Sequence, residues 1–264
     1  MPLTDNQSGA GHRFVSWCRQ SLLRPLTDAV LAQSCALCQQ PSGGAPVCAG
    51  CAGDLPTLPV TPDRRCQRCA LPFYGGKLSC PDCAIHTPAF DRAFAVWSYA
   101  FPIDTLIRDF KYGHHLYLAR FFAEKLAQTL LRDADSASQA KPDLIVPMPL
   151  HPNRLRTRGF NQAAEIARHL SHQLGISCAY DALIRVQDTP AQAGLPRDAR
   201  WKNLVGAFAC PRPIKARHVL LVDDVLTTGA SLSACADILR QAGVAKIDVA
   251  VLARTPGPAF PQKM

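Results

Sequence analysis

Long apolar runs are missing from this chain. No stretch reaches the roughly 18 apolar residues that a membrane-spanning helix needs, so no span is expected. The N-terminus, MPLTDNQSGAGHRF, lacks the basic-then-apolar order of a secretory signal, which points to a cytoplasmic protein. Without export, the cysteines have no oxidising setting in which to form disulfides. Residues 35–83 have few large apolar side chains and cannot build a core by burial alone. Acids are also short in supply, which leaves a net charge of +9. Residues 1–34 and 35–83 contribute +1 each and residues 84–264 the remaining +7. Such an excess suits an anionic partner, either a polyphosphate or a nucleic acid.

What remains fits a folded protein: 48% hydrophobic and 19% charged residues in 264. That length can hold one core and a smaller module. Residues 14–31 carry an amphipathic stretch that Pro25 interrupts, which favours a helical segment docked on the protein over a membrane contact. The expected division is an N-terminal helical segment (1–34), a cysteine module (35–83) and a larger domain (84–264).

Eight of the twelve cysteines form four CxxC pairs: Cys35/Cys38, Cys48/Cys51, Cys66/Cys69 and Cys80/Cys83. Each pair brings two thiolates to one point, and two pairs complete a tetrahedral Zn²⁺ site. The fourteen residues between the second and third pairs include three prolines and read as a linker. Two consecutive zinc ribbons are expected, Cys35–Cys51 and Cys66–Cys83, with a cross-braced pairing of first and third knuckles as the alternative. Structural zinc would supply the folding energy that this stretch lacks in apolar bulk. The scattered Cys18, Cys178, Cys210 and Cys235 read as small hydrophobes.

The most informative run is VLLVDDVLTTGAS, residues 219–231. Four apolar residues end in Asp223 and Asp224; a hydroxyl- and glycine-rich turn and a helical pattern follow. Backbone N–H groups of Thr227, Thr228, Gly229, Ala230 and Ser231, with the positive end of the helix behind them, can cradle a phosphate. The carboxylates accept hydrogen bonds only, as the hydroxyls of a ribose would require. Phosphate and diol read side by side point to a sugar phosphate.

Strands are expected at 93–100, 143–148, 182–187, 204–208, 218–223 and 246–252, and helices at 102–111, 116–132, 161–174 and 231–242. This alternation implies an α/β fold, a mainly parallel sheet with helices on both faces, preceded by the small zinc module. Ligands of such sheets sit beyond the carboxyl ends of the strands. One such end leads into PMPLHPNRLRTRGFNQ, a loop with Arg154, Arg156 and Arg158 and no acid. Arginine forks suit phosphate oxygens. The long segment QDTPAQAGLPRDARWKNLVGAF, with Arg200 and Lys202, has the length of a functional loop. Lys111 is a further anion contact; His114 and His115 are set aside as surface residues.

The run around Asp223 resembles the 5-phosphoribosyl-1-pyrophosphate (PRPP) signature of type I phosphoribosyltransferases. Together with the CxxC knuckles, PMPLHPNRLRTRGFNQA and TPAQAGLPRDARWKNLVGAF, it resembles the ComF family, over roughly residues 33–253. The resemblance implies a type I phosphoribosyltransferase-like domain behind a double zinc ribbon. It implies that Asp223 and Asp224 hold the ribose hydroxyls and that Thr227–Ser231 wrap the 5-phosphate. Lys111, Arg154, Arg158, Arg200 and Lys202 would contact the pyrophosphate, and Mg²⁺ would enter with PRPP. Family members are associated with single-stranded DNA entering the cell in natural transformation. The expectation is therefore Mg²⁺-dependent phosphoribosyl transfer to an unidentified acceptor; a PRPP sensor without catalysis and a single-stranded-DNA-handling protein are the alternatives.

Overall fold

The computed structural model of the chain describes residues 34–59, 64–73, 79–134, 141–188, 204 and 206–257. The expected N-terminal helical segment and Cys18 lie outside these residues. The chain forms two compact units, Met1–Asp54 and Leu55–Met264. This spatial boundary falls between the two cysteine tetrads, whereas the sequence grouped both tetrads before residue 84. The reason is burial: Cys66, Cys69, Cys80 and Cys83 are all inside the core of the second unit.

Within the first unit, Cys35 opens a knuckle in which its amide donates to the Gln40 carbonyl and its carbonyl accepts from Gln39. Gln39 takes a positive φ to close that turn. The Cys48 side chain then caps a short helix, α1 (Ala49–Gly53), by accepting from the Cys51 amide. The second tetrad repeats the plan. Cys66 donates to Leu71 and accepts from Ala70, Ala70 has the positive φ, and Cys80 precedes α2 (Pro81–Ile85).

The second unit is an α/β sheet. Its strands are β1 (Arg92–Ser98), β2 (Leu144–Pro147), β5 (His218–Leu226) and β6 (Lys246–Arg254), all parallel in the order β1-β6-β5-β2. Val219 to Val222 are unbroken apolar residues because both faces of the central strand are covered. Val219 and Leu221 join a cluster with Leu232, Cys235, Ala236 and Leu239 of α7 (Ala230–Gln241) and with the second tetrad. Leu220 and Val222 point the other way, where α6 (Gln162–Leu174) packs on β5 and β2 and against α4 (Leu118–Ala134). Helix α3 (Ile103–Tyr112) buries Ile103, Leu106, Ile107 and Phe110, spaced for one helical face. Phe110 meets Phe122 and Phe160, and Trp97 meets Phe121 and Phe122, so an aromatic layer seats α3 and α4.

Three expectations change. The segments 182–187 and 204–208 do not extend the parallel sheet. They shrink to β3 (Ile184–Arg185) and β4 (Phe208–Ala209), which pair antiparallel with each other. The basic segment after β2 is not all loop, because Pro152–Arg158 form a helix, α5. His151 caps it through Nδ1, Pro152 occupies its first position and Gly159 ends it in the left-handed region. Finally, β5 runs on to Leu226 because Val225 and Leu226 pair with Ala253 and Arg254 of β6.

Candidate anion-binding site at the end of the central strand

Asp223 and Asp224 therefore lie inside a paired strand, near its carboxyl end. Adjacent strand residues face opposite ways, so the two carboxylates diverge. Asp223 shares the face of Val219 and Leu221. Burial, and then the neighbouring Asp224 charge, push its carboxyl up to about 7. Its side chain keeps some accessible surface although dense protein surrounds the carboxylate. Asp224 turns to α3, where Lys111 Nζ lies 2.9 Å from its Oδ1. Burial works against the Lys111 charge, but Asp224, backed by Asp223, outweighs it and holds the ammonium above its usual range.

The segment after Leu226 turns at Gly229, with φ 79°, into α7. A β-carbon there would meet Leu226 and Phe90 only at ordinary contact distance, so the glycine serves conformation rather than space. No side chain caps α7, and its first helical bond runs from Ser233 N–H to Gly229. The amides of Ser231 and Leu232 thus have no partner within the helix. Thr228 Oγ1 accepts from the Ala230 amide at 3.4 Å, so this hydroxyl braces the turn. Ala230 is buried, and Thr227 is exposed.

Beside this end of the sheet lies a cavity of about 460 Å³ lined by Lys111, Tyr112, Asn153, Arg154, Arg158 and Asp188, among others. Three cations and one acid make the lining basic, with Lys111 paired to Asp224 and Arg154 to Asp188. Arg158 lies over the Tyr112 ring at 5.0 Å and donates to Gln162 at 2.7 Å, which fixes its fork. Asn153 donates to Asp188 at 2.7 Å, tying α5 to the stretch after β3. The structure therefore brings Lys111, Arg154 and Arg158 to one cavity. Arg200 and Lys202 lie outside the described residues. Sequence reasoning missed Tyr112, Asn153 and Asp188 and set aside His114, which also lines the cavity. Their only signal was adjacency to Lys111, to the arginines and to the start of the long loop.

The cysteines pair sequentially, Cys35/Cys38/Cys48/Cys51 and Cys66/Cys69/Cys80/Cys83, with ligand atoms all within 4.8 Å in each set. Sulfur separations of 3.8 Å (Cys38–Cys48) and 3.7 Å (Cys69–Cys80) match the ~3.8 Å edge of a tetrahedron with Zn–S of about 2.3 Å. The Cys48 and Cys80 amides donate to Cys35 and Cys66 sulfur at 3.3 Å. Hydrogen bonds from its neighbours pull the Cys66 thiol down, while its own sulfur pushes those of Cys69 and Cys83 up. Four crowded thiols cannot all ionise unless a cation sits among them. Both tetrads fit structural zinc.

Both parts of the chain match known families. A family profile described as phosphoribosyl transferase domain matches residues 123–264, and one described as double zinc ribbon domain matches residues 26–84. "DNA utilization protein YhgH" of Salmonella typhimurium is 34% identical over 192 residues, covering 72% of this chain and 84% of that protein. "Competence protein F" of Haemophilus influenzae is 33% identical over 212 residues, covering 79% and 90%. Among solved structures, a glutamine PRPP amidotransferase from B. subtilis aligns with a TM-score of 0.33 and 18% identity, over 50% of this chain and 25% of that one. No helix among the described residues is long and apolar enough to cross a membrane.

Proposed function

The chain belongs to the ComF family, a double zinc ribbon joined to a phosphoribosyltransferase domain, and from that premise we propose that it binds PRPP at the end of β5 and transfers its phosphoribosyl group. The observation that carries this reading is Lys111, which pairs with Asp224 and also lines the basic cavity, joining diol site to anion site. Asp223 and Asp224, on opposite sides of the strand end, would each accept from one ribose hydroxyl, and residues Thr227 to Ser231 would donate to the 5-phosphate. Lys111, Arg154 and Arg158 would neutralise pyrophosphate, with Arg200 and Lys202 joining from the long loop. Among the described residues, the groups of three or more metal-ligating side chains are the two cysteine tetrads. Mg²⁺ would accordingly be held largely by substrate oxygens and water, and it would offset charge on the departing group. The C1–O bond would break as an acceptor approaches, and catalysis would rest on positioning and charge neutralisation. A cytoplasmic setting would keep the tetrads reduced and able to hold zinc.

Calorimetry tests the site. Wild type should bind PRPP with Mg²⁺, and Asp223→Asn with Asp224→Asn should abolish binding while circular dichroism stays unchanged. Unaltered affinity in the double variant refutes the assignment. Pyrophosphate release during an acceptor screen separates a transferase from a sensor, since a sensor releases none.

A second reading, handling of single-stranded DNA, draws on the names of the relatives and on Arg154, Arg156 and Arg158 along α5. Retention that falls steeply with salt, and falls again when these arginines are replaced, would support it.

A further inference from the structure

Arg254, at the end of β6, is a buried cation (8% exposed). Its Nε donates to the Cys69 carbonyl at 2.9 Å. Its Nη1 donates to the carbonyls of Leu226 at 3.1 Å and Thr227 at 2.7 Å, and to the Thr255 carbonyl at 2.8 Å. The acceptors it meets are neutral oxygens, an arrangement that a buried guanidinium tolerates only when its donors are well satisfied.

Two consequences follow from elementary geometry. A trans peptide holds its C=O and N–H on opposite sides. With the 226 and 227 carbonyls drawn onto Arg254, the N–H groups of Thr227 and Thr228 turn away from it as donors. The guanidinium thus sets the plane after Thr227, and it shares the Leu226 carbonyl with the Thr255 amide, which donates to it at 3.1 Å. At its other end it holds the backbone of Cys69, a member of the second tetrad, in the knuckle that the Cys66–Leu71 and Ala70–Cys66 hydrogen bonds close. Relaxation of the knuckle would move the Cys69 carbonyl and free the fork.

We propose that Arg254 is the positioning residue of the phosphate loop and that the second zinc knuckle holds it, so that zinc at Cys66, Cys69, Cys80 and Cys83 and PRPP at residues 227–231 stabilise each other. This rests on the PRPP reading above. Coupling of two sites is reciprocal, which gives two independent readouts.

The first uses full-length, zinc-loaded wild type and follows zinc release to a chromogenic chelator. Saturating PRPP with Mg²⁺ should slow the loss of one of the two ions by about fivefold or more. The same PRPP should give no protection in the Asp223→Asn/Asp224→Asn protein, which controls for metal binding by PRPP itself. The second readout is PRPP affinity. Arg254→Met should weaken it by about tenfold or more and remove the zinc protection. Arg254→Lys should restore only part, because a point charge cannot reach all these carbonyls as a fork does. Zinc release that PRPP leaves unchanged, or an Arg254→Met protein with wild-type affinity, overturns the coupling but leaves the PRPP site standing. Failure of wild type to bind PRPP sinks both. If Arg254→Met does not fold, zinc release from wild type decides.

Discussion

A carboxylate enclosed by protein resists ionisation, and Asp223 keeps its proton up to about pH 7. An unfolded aspartate loses its proton near pH 3.9. Between those values the folded state binds a proton that the unfolded state has shed, so stability falls as pH rises through the window and levels off above it. Asp223→Asn removes this penalty. Its unfolding temperature should exceed that of wild type by a few degrees at about pH 8, with the gain shrinking toward pH 5. Scanning calorimetry at both pH values checks this, and an equal gain at the two would contradict the burial account. At this scale the two acids and the eight cysteines were legible in the chain, because acids and loop are contiguous and each thiol pair spans one CxxC. Lys111 was legible only as a candidate anion contact. Its partnership with Asp224 depends on α3 ending over β5.

The turn between β5 and α7 depends on one backbone conformation. A left-handed residue with a β-carbon costs about 1–2 kcal/mol, and asparagine bears it better than alanine. Since a β-carbon at Gly229 meets no clash, that strain is the whole effect. Gly229→Ala should lower stability by about 1–2 kcal/mol in urea unfolding and weaken PRPP binding. Gly229→Asn should lose less of both. Equal losses would mean that space, not conformation, demands the glycine. Among elements, the four sheet strands and four longer helices could be read from periodicity. Helix α5 could not, since seven residues hold too few turns to show a period. Strands β3 and β4 were overread because Ala182, Leu183, Leu204 and Ala207 are buried without being paired strand residues.

For the whole molecule, the telling comparison is between two buried cysteines of one core cluster, Cys69 and Cys235. Cys235 is only packed, and Cys235→Ala should cost about 1 kcal/mol, a shift of a few degrees. Cys69→Ser should remove a zinc ligand and lower the unfolding temperature by about 10 °C or more, with one zinc fewer by native mass spectrometry. Similar shifts in the two variants would mean that the second tetrad contributes packing alone. Local order along the chain was sufficient for the knuckles and for the strand–acid–glycine–helix run, since those groups are neighbours in sequence and covalent geometry brings them together. The divergence of the two acids, the Lys111 pair and the meeting of Arg254 with Cys69 and Thr227 came only with folding. They depend on the strand order β1-β6-β5-β2 and on the core that seats the second tetrad, which bring together residues far apart in the chain.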